Sequence, residues 1–314
     1  MKILITTGLS AGDVGGPAQY GPKLKNEFER LGHVVKISQY ASIENALLKI
    51  WPSALWADKI IALDTFSVGV PSVLASRLFG KKILIRVGGD FVWSAYVNRT
   101  SEPLTLPGFY QKMPTLNLKE RIIFFFTKML INNADFLAFN TEWQRNIWEK
   151  FYKIPEHKSG VVRNFIPEKR EGKLSTAKNF LWAGRLIPEK NPAILEKFRI
   201  DIATGESHEK VLDRIKNCYV AVSLAFTDIC PNFILEALSF NKPFIMTRET
   251  GLGELFPLGG IFVDPLNIEE IENAIEKMLD NNVYNRYVEE LKSVNLRHSW
   301  GELASEFIDI WKRL

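Results

Sequence analysis

Cysteine is nearly absent. Cys218 and Cys230 are the only two in 314 residues, and neither has a second thiol at metal-binding or redox spacing. That excludes a disulfide-stapled scaffold and a thiolate zinc site, and it leads to the expectation of a reducing compartment. Histidine is scarce too. His33, His157, His208 and His298 show no ligand spacing, so no metal is expected and each reads as structural or exposed. There is no G-x-S-x-G elbow to support a hydrolase of that type. No long Lys/Arg run with interleaved aromatics occurs, and the net charge is only +4. A dedicated nucleic-acid binder is therefore not expected; the mildly basic balance suits an anionic small molecule or membrane surface. Long apolar runs are missing as well: the longest beside a helix, 122–126, falls far short of the ~20 residues a membrane span requires. The opening residues 2–6 read as a strand rather than a leader's apolar region. A cytoplasmic protein is the resulting expectation.

What is present is hydrophobic content of 46% over a length that favours two cores. The first half alternates strand patterns at 3–7, 33–38, 59–64, 82–87, 136–140 and 160–163 with helical patterns at 18–31, 70–79, 118–132 and 142–151. This is the βαβ rhythm of a parallel, doubly wound sheet, and Gly32 is placed to end the first helix. Residues 93–117 interrupt the rhythm and read as a long functional loop, a short helical insert or a disordered excursion. The polar stretch 165–178 reads as a linker. Beyond it, strands are expected at 179–184, 198–202, 219–224, 243–246 and 260–263, then amphipathic helices, the last at 301–313. The expected division is a Rossmann-like domain 1–164, the linker, a second Rossmann-like domain 179–298, and a terminal helix 299–314 that can return to the first domain.

Four stretches can carry chemistry. In Asp228-Ile229-Cys230-Pro231-Asn232-Phe233-Ile234-Leu235-Glu236, two acids bracket a strand-exit turn and the start of a helix. Ligands of open α/β sheets bind at that edge, and a helix start attracts anions. The plain alternative is a loop or cap aspartate and a solvated helix glutamate. Gly184-Arg185-Leu186-Ile187-Pro188-Glu189-Lys190 puts two cations in another strand-exit loop, able to clamp a diphosphate or simply solvated. Gly8 to Pro17 is glycine-rich and opens a helix, but matches neither the dinucleotide fingerprint nor the P-loop. Gly88-Gly89-Asp90 ends a strand with an acid that is either a site residue or a helix cap.

In this order the pieces resemble the GT-B glycosyltransferases of family 4: Gly15-Gly16 with Tyr20 and Gly32-His33-Val34, the box 184–190, Glu236-Ala237-Leu238 before Lys242-Pro243, Thr247, Gly251 and Glu254, then 260–265 and Ser299-Trp300. The resemblance implies an α/β chain with two Rossmann-like domains facing a central cleft. It also implies a retaining, metal-independent transferase of the hexosyltransferase type, without cofactor, that moves a sugar from a nucleotide-sugar donor to a glycan or lipid-linked acceptor, as in polysaccharide biosynthesis. Arg185 and Lys190 would neutralise the leaving diphosphate and Glu236 would bind the ribose hydroxyls. Asp228 stands where the family has its first glutamate, facing the donor sugar. Gly15, Gly16, Asp90, Asn232, Phe233 and Gly251 complete the implied donor site.

The chain departs from that pattern at three points. Asp228 is one methylene shorter than the usual glutamate. Gly88-Gly89 stands where a His-Gly is common. Only 37 residues, 191 to 227, separate Lys190 from Asp228, so a trimmed second domain is expected, most reduced where the nucleobase usually lies. A catalytically inactive binding protein for sugar nucleotides or glycans is the alternative; an epimerase or phosphorylase on the same fold is a third. The basic, apolar 119–131 segment leaves open peripheral contact with an anionic membrane face, or ordinary core packing.

Overall fold

The computed structural model describes residues 1–8, 16–39, 43–172, 175, 177–295 and 297–314, with the backbone alone described for 16–18 and 43–48. In chain order the elements are β1 (Lys2–Thr7), α1 (Gly16–Arg30), β2 (Val34–Gln39), α2 (Ile43–Trp56), β3 (Lys59–Ala62), α3 (Gly69–Leu78), β4 (Lys82–Val87), α4 (Phe91–Thr100), α5 (Leu106–Gln111), α6 (Leu118–Asn133), β5 (Phe136–Phe139), α7 (Glu142–Tyr152) and β6 (Ser159–Val161). They continue with β7 (Phe180–Ala183), α8 (Pro192–Lys197), β8 (Asp201–Ala203), α9 (His208–Asn217), β9 (Val220–Ser223), α10 (Asn232–Ser239), β10 (Phe244–Thr247), α11 (Leu252–Leu255), β11 (Gly260–Val263), α12 (Ile268–Leu279), α13 (Asn281–Ser293) and α14 (Trp300–Arg313).

The chain divides into two compact units. The first holds Met1–Tyr96, Pro114–Asn164 and Ser299–Leu314; the second holds Val97–Met113 and Phe165–His298. Each is built on a parallel sheet, ordered β2-β1-β3-β4-β5-β6 in the first and β11-β10-β9-β7-β8 in the second. The expected α/β class with two parallel sheets is what the chain forms.

Local chemistry explains the boundaries. Ile3, Leu4 and Ile5 of β1 are fully buried, as a central parallel strand covered on both faces must be. Helix α1 ends in a Schellman motif: Gly32, at φ +82°, donates to the Glu29 carbonyl and His33 to that of Phe28. Capping boxes start α6, from Asn117 and Glu120, and α14, from Ser299 and Glu302. Helix α14 belongs to the first unit, where Leu303, Phe307 and Trp311 join Leu24 and Phe28 in one core. Trp300 stacks edge-on against Tyr20 with ring centroids 5.1 Å apart.

Helices α2, α8, α9 and α11 were not among the expectations. Helix α2 runs through Pro52, and α4 begins at Phe91, two residues before the stretch 93–117 read as an interruption. That stretch is largely helical, α4 running to Thr100 and α5 starting at a Thr105 cap. The first part of the expected linker is held down. Ile166 pairs antiparallel with His298, and Arg170 donates its amide to the Ser239 carbonyl at 2.8 Å.

Candidate functional site

In the second sheet β9 lies between β7 and β10, so the loops leaving those three strands emerge side by side. The loop after β7 makes a single 3-10 turn at Pro188–Lys190 and ends with Asn191 in the left-handed region at φ 54°. Asn191 Nδ2 donates to the Leu224 carbonyl at 3.2 Å, which ties this loop to the exit of β9.

Lys190 and Asp228 meet there. Lys190 Nζ lies 3.0 Å from Asp228 Oδ1, with the side chains 25% and 14% exposed. Ser223, the last residue of β9, donates its hydroxyl to Asp228 Oδ2 at 2.7 Å. The backbone is fixed as well: the Asp228 amide donates to the Glu249 carbonyl at 3.0 Å, and the Gly251 amide to that of Ile229 at 3.0 Å. Burial, with Asp264 nearby, pushes the Glu249 carboxyl above its ordinary range, opposed by Arg248. An ammonium has three donors, so after Asp228 is satisfied Lys190 keeps capacity for an anion.

Glu236 is not a solvated helix residue. It sits one turn into α10, its side chain 16% exposed, with Oε1 2.7 Å from His208 Nε2. The Glu236 hydrogen bond raises the pKa of His208 above its ordinary value; burial and Arg170 act in the opposite sense. Helix α9 starts at His208 because the Ser207 hydroxyl accepts the Lys210 amide at 3.4 Å. That cap is legible in the sequence. The partner, 28 positions away, is not, and His208 was missed for that reason.

The remaining predicted residues are placed as follows. Arg185 is exposed and has no side-chain partner among the described residues. Asn232 opens α10 and is half-buried, while Phe233 packs against the core of the second unit. Gly251 is buried at the start of α11. In the first unit Gly16 opens α1, and Gly15 lies outside the described residues. Asp90 is 4% exposed; its Oδ1 accepts the amides of Val92 and Trp93, and its Oδ2 accepts Trp148 Nε1 at 2.9 Å. Those contacts are a helix cap plus an indole anchor, the alternative that the sequence left open.

Sequence reasoning also missed the support from Val97–Met113, because it connects residues about ninety or more positions apart. Asn98 and Glu189 exchange two hydrogen bonds, and the Leu106 amide donates to Thr227 Oγ1 at 2.9 Å. Each contact adjoins one member of the Lys190–Asp228 pair. Two surface cavities, of about 450 Å³ beside Arg30 and Ser299 and about 680 Å³ beside Phe262 and Glu270, contain none of the predicted residues.

No known family model and no curated protein sequence matches the chain. Solved structures do. Sucrose-phosphate synthase from Thermosynechococcus elongatus superposes with a TM-score of 0.72 at 12% identity, over 99% of this chain and 98% of that one. Anabaena HepE, solved in complex with UDP-glucose, gives 0.70 at 13% identity over 100% of both chains. WaaG, a glycosyltransferase involved in lipopolysaccharide biosynthesis, gives 0.69 at 12% identity over 98% of this chain and 99% of its own. The fold is that of the GT-B glycosyltransferases. At these identities the GT-B likeness is one of architecture.

Proposed function

We propose that the protein is a retaining glycosyltransferase that moves a hexosyl group from a nucleotide-sugar donor to a glycan or lipid-linked acceptor without a metal ion. The observation that carries this reading is the Lys190–Asp228 pair, a cation held by a carboxylate at the adjoining exits of two parallel strands. The GT-B fold supports it, and HepE, on the same fold, was solved with UDP-glucose.

In the proposed reaction the anomeric carbon–oxygen bond breaks, its electron pair passes to the departing diphosphate, and the acceptor hydroxyl forms the new bond as its proton moves to that diphosphate. Negative charge grows on the leaving group. Lys190 and the exposed Arg185 stabilise it as fixed cations, in the role that a metal ion would otherwise take. Asp228 anchors Lys190 and presents its carboxylate to the donor sugar, while Glu236 accepts hydrogen bonds from the ribose. The short 191–227 span supports a reduced base-binding region.

No helix among the described residues is long and apolar enough to cross a membrane. Helix α6 does expose Leu118 (74%), Ile122 (45%) and Phe125 (65%) along one stripe, beside exposed Lys119, Arg121 and Lys128. We take this stripe to rest on the anionic cytoplasmic face of a membrane, where a lipid-linked acceptor is found.

The test is incubation with UDP-, GDP-, ADP-, CMP- and dTDP-sugars plus acceptor extracts, followed by mass spectrometry. Nucleotide release with retained anomeric configuration in the product is the expected result. Binding without turnover for every donor would instead support the inactive sugar-nucleotide-binding alternative.

A further inference from the structure

Glu236 is a mostly buried carboxylate with only half of its acceptor capacity in use. Oε1 is held by His208 Nε2 at 2.7 Å, while Oε2 has no partner among the described residues. A carboxylate withdrawn from water demands donors at both oxygens, and the unfilled side suits a ligand with neighbouring hydroxyls. His208 differs in exposure: its side chain is 46% accessible against 16% for Glu236, so the ring lies at the mouth and the carboxylate behind it.

We propose that His208 is a positioning residue for ribose recognition, holding the Glu236 carboxylate so that its second oxygen accepts the 2′- and 3′-hydroxyls of a nucleoside diphosphate. This rests on the donor reading above. The span from Lys190 to Asp228 contains α8, β8, α9 and β9 and nothing more. The first residue of α9 is therefore what this chain places beside Glu236. Charge around the imidazole favours the role. Glu236 faces it from α10, Arg170 adds an opposing positive field from the segment after β6, and Glu206 just before α9 is tied to Arg214 at 2.6 Å. Glu209 and Lys210 follow on α9 itself. Freezing the carboxylate rotamer before the ligand arrives removes an ordering cost from binding. The competing account is an ordinary surface ion pair that contributes little to anything.

Ligand truncation separates the two. Affinities of UDP, GDP and ADP and of their 2′,3′-dideoxy counterparts would be measured by calorimetry on the wild type, His208→Ala, His208→Gln and Glu236→Ala. The expected result is a loss on the order of ten-fold for the tightest ribonucleotide in His208→Ala. The dideoxy form should change by no more than about two-fold, Glu236→Ala should show the same selectivity, and His208→Gln, which keeps a side-chain donor, should recover part of the loss. Equal losses for both ligand forms, or none for either, would overturn the role of His208 while leaving the donor reading intact. Failure of every diphosphate to bind the wild type would overturn both.

Discussion

Asn98 and Glu189, 91 positions apart, exchange a reciprocal pair of hydrogen bonds: Asn98 Nδ2 donates to Glu189 Oε2 at 3.1 Å, and the Glu189 amide donates to Asn98 Oδ1 at 3.2 Å. A side-chain amide here reads one backbone group and one carboxylate of the turn that carries Lys190. Two further donors and acceptors are thus satisfied beside a residue assigned to the chemistry. Asn98→Ala removes both hydrogen bonds, at a cost of about 0.5–1.5 kcal/mol each. Because the loosened turn also holds Lys190, kcat should fall more than the donor KM rises. Steady-state kinetics with a thermal melt checks both; unchanged kcat at lowered stability would limit Asn98 to a structural role.

Arg185 and Lys190 should separate by stability although both lose activity. Each alanine substitution is expected to lower turnover by about 10²-fold or more if the two cations stabilise the leaving group. Lys190→Ala also strips Asp228 of its ion pair, destabilising the fold by about 1–2 kcal/mol. Arg185→Ala, at an exposed side chain with no partner among the described residues, should leave the melting temperature unchanged. Near-wild-type rates in both variants would remove them from the mechanism.

The ionisation of His208 depends chiefly on Glu236. The hydrogen bond from Glu236 heads the influences on it, while burial and Arg170 pull the other way. Glu236→Gln should therefore bring the imidazole pKa below that of the wild type, observable in the pH titration of the ring protons by NMR. The stability linkage has a definite sign. Since the folded value is raised above 6.5, the pair's contribution is fully present below pH 6.5 and is lost as pH rises through the folded value. An unchanged titration in Glu236→Gln would show that the 2.7 Å contact is not maintained in solution.

Lys169 ties three segments of the second unit together. Its Nζ donates to the carbonyls of Leu238 on α10 and Leu291 on α13 and to Asn241 Oδ1, all within 2.9 Å, and burial pushes the ammonium down to about 8. Lys169→Met keeps the length of the stem and strands three acceptors, so the urea midpoint should drop by the equivalent of about 2–3 kcal/mol. A smaller shift would mean that water replaces the ammonium at little cost.

The exposed stripe on α6 predicts binding to vesicles containing anionic phospholipid, measured by flotation. Phe125→Glu should abolish it by placing a charge on the apolar face, and added salt should weaken it through the neighbouring lysines and arginine. Absence of wild-type binding would remove the membrane from the proposed function.

Much of the fold was legible residue by residue. Alternating buried strands and amphipathic helices set the βαβ rhythm, and Gly32 set the end of α1. These signals are local, acting within a few residues, and composition and periodicity carry them intact. Helix α2, which runs through Pro52, was not read from the sequence. The Asp228–Glu236 stretch was visible as a candidate, but two readings of each acid remained.

The tertiary structure supplied the long-range partners of those acids. Asp90 became a cap and an anchor for Trp148, Glu236 acquired His208, and Asp228 acquired Lys190 and Ser223. The sequence by itself determined which residue types lie at strand exits and helix starts. Which exits adjoin depends on strand order, and the placement of β9 between β7 and β10 is a long-range packing outcome that no local pattern encodes.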